Sequence, residues 1–175
     1  MLLTEAEAWA DFYLVAGASA AVLIGLLFVA LSINREAVAA HAHFRGQARQ
    51  AIYALVYVFV ISLLVLIPDQ ADSALGAELL CGALLNLVVA IPRQVRGMTT
   101  TPPTARRKFA LVIAVYNGAM LLIMAAGTGL IAGFDGALFL LAAAVIALSL
   151  LAIANSWTLT LISTEPGGDR VRHGP

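Results

Sequence analysis

The chain has 175 residues, of which 62% are apolar and 11% charged, and its mean hydropathy is +0.95. These values exclude an ordinary soluble globular domain. Ten basic residues balance ten acidic ones, and the single cysteine, Cys81, excludes an intrachain disulfide or a thiolate metal cluster within one protomer.

Five apolar segments are each about as long as a helix that crosses a bilayer, roughly 20 residues. They cover residues 12–33, 51–67, 75–91, 109–131 and 137–162. The fold predicted is therefore an all-α integral membrane bundle of five transmembrane helices. It forms one domain over residues 1–165, and residues 166–175 form a polar, flexible tail.

The connections between these segments differ in character. Pro68 to Ser73 and Gly133 to Gly136 read as tight turns, so the helices that each turn joins should be antiparallel neighbours. The longer stretch from Pro92 to Lys108 combines five basic residues with a Thr-Thr-Thr-Pro-Pro run. We expect this stretch to be an extended, mobile loop at the headgroups.

The distribution of charge predicts the orientation, because cytoplasmic loops are enriched in arginine and lysine. The basic residues all fall on one side of the five-segment pattern: Arg35, Arg45, Arg49, Arg93, Arg96, Arg106, Arg107, Lys108, Arg170 and Arg172. Seven acidic residues fall on the other side: Glu5, Glu7, Asp11, Asp69, Asp72, Glu78 and Asp135. This pattern predicts an N-terminus outside and a C-terminus in the cytoplasm.

The first segment contains small residues at every fourth position, Gly17, Ala21 and Gly25. Such spacing forms a groove in which a second helix backbone can approach closely. It predicts a helix-packing seam, either within the protomer or around a symmetric oligomer. Ordinary packing in one bundle explains the spacing equally well.

Three asparagines, Asn86, Asn117 and Asn155, lie on the third, fourth and fifth segments at about one depth, roughly 9–13 Å from the basic ends. Tyr53 and Tyr57 reach the same level from the second segment. An amide facing lipid is costly, so we expect an inner polar layer of inward-pointing side chains. Either they form an interhelical network that fixes registry, or they line a hydrated cavity.

The acidic residues Asp69, Asp72 and Glu78 form a predicted outer vestibule that would concentrate cations. Glu78 is the deepest charge and lies only about one turn inside the outer end of its segment. No Asp, Glu, His, Lys or Arg lies near the middle of a span, so a proton-coupled pump has no good candidate residue.

Catalysis finds no support in the sequence. His41, His43 and His173 all lie in the predicted cytoplasmic segments, so no intramembrane serine has a histidine to activate it. His41 and His43 have no cysteine or HExxH motif beside them, and no phosphate-binding loop is present. We therefore expect neither an enzyme nor a protein with a metal or other cofactor, and no nucleic acid partner.

The stretch Asp11-Phe12-Tyr13, then Gly17, then residues 25–34 and the Leu-Ile-Pro-Asp-Gln sequence at 66–70, resembles a family of small uncharacterised bacterial multi-pass inner-membrane proteins. The resemblance covers residues 11–70. It implies a location in the bacterial cytoplasmic (inner) membrane and supplies no site residue.

Two classes of function fit these features best. The first is a homo-oligomeric ion channel or pore, with the seam around the axis and the acidic vestibule at its mouth. The second is a non-catalytic accessory or scaffold subunit that docks on a larger membrane-protein partner. A small transporter of a neutral or lipidic substrate is the weaker alternative. The channel, for which a homo-oligomer is expected, stands narrowly ahead of the accessory subunit, and in each case the lipid bilayer is a partner.

Overall fold

The computed structural model describes residues 5–35, 42–100 and 103–161. In these ranges the protein is all-helical, with five helices and no strand. The helices are α1 (Glu5–Ile33), α2 (Ala42–Val65), α3 (Asp72–Thr100), α4 (Pro103–Ile131) and α5 (Ala137–Leu161). The predicted tail, residues 166–175, lies outside the described residues.

All five helices are long and apolar enough to span a membrane. The helix directions alternate, so that α1, α3 and α5 begin at the end where α2 and α4 finish. We call this the acidic end, because Asp11, Asp69, Asp72, Glu78 and Asp135 lie there. The opposite end is the basic end, with its arginines on the last part of α3 and the first part of α4. The separation of charge predicted from the sequence is therefore present along the bundle axis.

Helices α2, α5, α4 and α3 pack in that order around a common core. The core is filled by side chains that are no more than 2% exposed, among them Leu55, Val58, Met120, Ile123, Leu141, Val145 and Leu148. Each removes apolar surface from contact with lipid or water and gains close packing contacts. The fourth side of the ring is different, because α2 and α3 touch only briefly.

Helix α1 lies outside this ring. It packs along α2 and touches α5 only briefly, near the acidic end of both helices. There the Tyr13 hydroxyl donates to the Leu138 carbonyl at 3.2 Å, and the Trp9 and Phe139 rings meet edge to face at 4.7 Å between centroids. Aromatic side chains with a polar group suit the level of the headgroups.

Two short turns close the acidic end. Residues 132–136 follow α4, where Gly133 adopts a φ of 71°. The Phe134 amide donates to the Gly129 carbonyl at 2.8 Å and the Gly133 amide to the Leu130 carbonyl at 3.3 Å, the two bonds of a Schellman cap. Of the two helix pairs predicted to be neighbours, α4 and α5 are confirmed, whereas α2 and α3 lie mostly apart.

The predicted loop from Pro92 to Lys108 is wrong. Helix α3 continues to Thr100 with Pro92 inside it, and α4 begins at Pro103. Proline removes one hydrogen bond from a helix, but transmembrane helices tolerate it where neighbouring packing compensates. Beyond Pro92 the helix packs closely on α4, since a methyl group on Gly97 would lie only 2.6 Å from the Phe109 ring.

The closest approach between α3 and α4 is at a pair of glycines near the acidic end. A methyl group added to Gly76 would lie 2.5 Å from the Gly127 carbonyl oxygen, and one added to Gly127 would lie 2.7 Å from the Gly76 carbonyl oxygen. Two backbones can come this close only where both residues lack a side chain. This crossing fixes the α3–α4 pair.

Candidate functional site

The seam predicted on α1 is divided between two faces of the helix. Gly17 is buried against α2, where a methyl group would lie 2.9 Å from the Ser62 Cβ atom. Ala21 and Gly25 are exposed, and a methyl group on Gly25 would meet nothing within 4 Å. Gly17 therefore serves packing inside the protomer, and the other two residues face outward.

The outward residues belong to a regular pattern. Positions separated alternately by four and three residues are all exposed: Leu14, Ala18, Ala21, Gly25, Phe28 and Ser32. We call this set the outer α1 face. Spacing of this kind produces the seam of two helices that pack at a shallow angle, and small residues at its middle let the backbones approach. The face is therefore shaped to receive another helix.

The middle of helix α3 has an exposed surface of a different kind. Its outward side chains there are large and branched, namely Leu84, Leu85, Val88, Val89 and Ile91, whereas Ala74, Ala77 and Cys81 are exposed closer to the acidic end. Bulky aliphatic side chains keep a neighbouring backbone away and suit contact with lipid tails. The middle of α3 therefore lacks the small exposed residues of the outer α1 face.

A lateral cleft of about 180 Å³ lies where α2 and α3 separate. Its walls are mostly apolar, its floor includes Ile123 of α4, and Glu78 and Tyr57 both line it. Glu78 is exposed and accepts a hydrogen bond from the Gln70 amide at 2.8 Å, whereas the Tyr57 hydroxyl donates to the Gly82 carbonyl. We call this opening the α2–α3 cleft.

Asn86 joins α3 to α4 one turn from Gly82, the residue of the α2–α3 cleft that Tyr57 binds. Its Oδ1 atom accepts a hydrogen bond from the Tyr116 hydroxyl at 2.8 Å. Tyr116 is 4% exposed, so this contact is shielded from lipid. Two hydrogen bonds one turn apart on α3 thereby join it to α2 and to α4.

The other members of the predicted inner polar layer have separate surroundings. Asn117 and Gln94 exchange two hydrogen bonds of 3.0 Å between α4 and α3. Asn155 is 4% exposed, and its Nδ2 atom has no hydrogen-bond partner among the described residues. Within the described chain no hydrogen bond joins two of the three asparagines. The placement of Asn86 and Asn117 favours an interhelical network over a continuous polar path.

The acidic residues of the predicted vestibule lie together at the α2–α3 turn, and all three are exposed. Asp69 has a φ of 56°, a left-handed conformation that aspartate tolerates better than most residues with a side chain. Asp72 occupies the first turn of α3, where a carboxylate is favoured by the helix dipole. Asp69 and Asp72 thus have local structural roles, and only Glu78 lines the α2–α3 cleft.

No group of three histidine, cysteine, aspartate or glutamate side chains that could hold a metal ion occurs among the described residues. Cys81 is exposed on α3. His41 and His173 lie outside the described residues, and the same holds for the side chain of His43. The absence of an enzyme activity and of a cofactor stays a prediction.

Sequence reasoning missed the partners of the asparagines and the glycine crossing. Gln94 follows Pro92 by two residues and was assigned to a loop, so its pairing with Asn117 was not expected. Tyr116 directly precedes Asn117, and a tyrosine hydroxyl at that depth in a span is a sequence signal for a polar partner such as Asn86. Neither Gly76 nor Gly127 has a small residue four positions away in its helix, and only the fold brings them together.

Comparison with known proteins adds no assignment. No protein-family model matches the chain, and no curated protein or solved structure matches it. The resemblance noted for residues 11–70 therefore stays a prediction, and the functional argument depends on the geometry.

Proposed function

We propose that the protein is a non-catalytic accessory subunit of a membrane complex and that the outer α1 face docks on a transmembrane helix of its partner. The observation that carries the proposal is the exposed run of Ala18, Ala21 and Gly25 on a helix that packs outside the four-helix ring. A close helix–helix contact needs such residues, and among the described residues nothing packs over them.

The peripheral position of α1 supports this proposal. Only 17% of its span is buried inside the bundle, against 44% of the span of α5. A helix with so little burial contributes less than the others to the packing of the protomer. Helix α3 has a similarly small buried share, 22%, but the outward side chains of its middle turns are bulky. The middle of α1 combines exposure with small residues at alternating spacings of three and four.

An ion channel fits the geometry less well. The centre of the four-helix ring is filled by side chains such as Met120 and Leu148 that are fully buried, so a pore would have to lie between protomers. If copies of α1 surrounded that pore, the outer α1 face would supply only Ser32 as a polar residue at its basic end. An ion path requires polar groups that replace the hydration shell.

For the location we propose the bacterial cytoplasmic membrane, with the acidic end outside and the basic end in the cytoplasm. The support is the distribution of arginine and lysine, which cytoplasmic loops retain. Under this orientation the outer α1 face lies within the hydrocarbon region, where its partner must be a transmembrane helix.

Substituting Gly25 by leucine tests the proposal. The added side chain fills the middle of the outer α1 face and should reduce recovery of the crosslinked complex from bacterial membranes at least about tenfold, since close packing is lost. Ala125→Leu is the matched control, because Ala125 is an exposed small residue on α4. It should leave the complex intact.

The size of the complex, measured by native mass spectrometry from lipid nanodiscs, separates the alternatives. A complex whose mass is not a whole multiple of the protomer mass contains another protein and supports an accessory subunit. A closed ring of four or more identical copies would support the channel instead. A complex that survives Gly25→Leu unchanged would show that α1 is not the docking helix.

A further inference from the structure

At the basic end of the bundle, α3 and α4 extend past the apolar spans predicted from the sequence. Each has 29 residues, so each is roughly 43 Å long, whereas the hydrocarbon core is about 30 Å thick. If the acidic end lies at one membrane surface, the last turns of α3 and the first turns of α4 lie among the headgroups of the other. These turns contain most of the described positive charge.

A groove of about 380 Å³ opens between the two helices at this level. Its walls are largely apolar, formed by Val95 and Met98 from α3 and by Ala110, Ile113 and Ala114 from α4. Gln94 also lines it and is held by its two hydrogen bonds to Asn117. We call this the α3–α4 groove. Its lining suits a hydrocarbon chain.

Two arginines are aligned with this groove. Arg106 precedes Ala110 by four residues and Ile113 by seven, and Arg107 precedes Ala110 by three residues. Residues at these separations share one side of a helix. Arg106 and Arg107 are both exposed and lie about one turn closer to the basic end than the groove lining. Cationic side chains therefore stand directly above an apolar groove.

The charge around the groove is of one sign. Between Asn86 and Asn117 the chain has five basic residues and no acidic residue. Arg93 and Lys108 are separated from the lining residues of their own helices by intervals that place them on other sides, whereas Arg96 precedes Thr99, which also lines the groove, by three residues. An anion is thus attracted to this end, and Arg106 and Arg107 are aligned with the α4 side of the groove to hold it there.

We infer that the α3–α4 groove binds an anionic phospholipid, with the phosphate at Arg106 and Arg107 and an acyl chain along Val95, Met98 and Ile113. The groove and the charge act together, because arginine binds phosphate oxygens through its planar set of donors. Basic pockets between transmembrane helices at a membrane surface recognise anionic headgroups in this way. The site is independent of the outer α1 face.

The test measures lipid binding to the full chain by native mass spectrometry, with phosphatidylglycerol and phosphatidylcholine of identical acyl chains. The wild type should bind phosphatidylglycerol more tightly. The double variant Arg106→Gln, Arg107→Gln should lose roughly tenfold or more in this affinity. The matched double variant Arg93→Gln, Lys108→Gln also removes two positive charges, but on helix sides that face away from the groove. Its affinity for phosphatidylglycerol should fall no more than about twofold.

Two further experiments distinguish binding of a lipid from binding of free phosphate. Ala110→Trp fills the groove and should weaken phosphatidylglycerol binding, and inorganic phosphate should not displace the lipid. Circular dichroism and elution volume confirm that each variant is folded. The proposal is overturned by any of three results: equal loss in the two double variants, displacement by inorganic phosphate, or no preference for phosphatidylglycerol.

Discussion

The two tight turns at the acidic end differ in whether the helices that they join pack against each other. Residues 132–136 join α4 to α5, and these helices pack along one another. Residues 66–71 join α2 to α3, and these helices touch only briefly. The turns are similar in length and lie at the same end of the bundle. A short connection therefore sets the direction of the next helix without determining the helix against which it packs.

The difference comes from side-chain size at the helix crossings. Gly76 meets Gly127, so α3 lies close to α4 and cannot follow α2 along its length. Helix α2 packs instead against α5 and α1, with Ser62 fitted against Gly17. Among the described residues, the hydrogen bond from the Tyr57 hydroxyl to the Gly82 carbonyl joins α2 to α3. The α2–α3 cleft is the space that remains.

The largest effect should follow from Gly76→Ala. The new methyl group would lie 2.5 Å from a carbonyl oxygen and 2.8 Å from Ile131 Cγ1, so the two helices must separate. Overpacking of this kind costs roughly 1–3 kcal/mol. The free energy of unfolding in mixed micelles measures the loss. Gly118→Ala, with nothing within 4 Å of the added group, is the control and should be neutral; equal effects would contradict the crossing.

At position 69 the free energy of unfolding should depend more on whether the side chain tolerates a positive φ than on its charge. Valine at a φ of 56° would place its Cβ atom against the backbone, at a cost of roughly 1–2 kcal/mol. Asparagine removes the charge but tolerates the conformation, so Asp69→Asn should stay close to the wild type. The same unfolding assay checks both variants. If Asp69→Asn and Asp69→Val are equally destabilising, the carboxylate matters for a reason other than the turn.

Tyr57→Phe should give the smallest change in stability and a local change in structure. It removes the bond between α2 and α3, worth on average about 0.6 kcal/mol in a membrane protein. Distances between spin labels on the two helices should broaden, while distances between α3 and α4 stay unchanged. Tyr53→Phe, at an exposed tyrosine one turn away, is the control. Equal broadening of the α2–α3 and the α3–α4 distances would contradict the claim that the Tyr57 bond acts only between α2 and α3.

The sequence predicted the number of helices and the segregation of charge, because both depend on composition and on segment length. It failed at Pro92, where local reasoning ended the helix and contact with α4 continues it. It also placed Gly17 and Gly25 in one seam, although the small drift of a four-residue spacing around a helix turns them to different faces. Helix partners depend on distant residues such as Gly76 and Gly127, which no local pattern connects.

Photo-crosslinking on α1 in intact bacterial cells tests the central claim most directly. A crosslinking amino acid at Val22 or Val29, exposed large residues beside the outer α1 face, should capture one membrane protein. The same group at Leu85 or Val88 on the bulky face of α3 should capture only lipid. An adduct with another membrane protein from α1 alone is the predicted result. No protein adduct from α1, or the same adduct from both helices, would contradict the account.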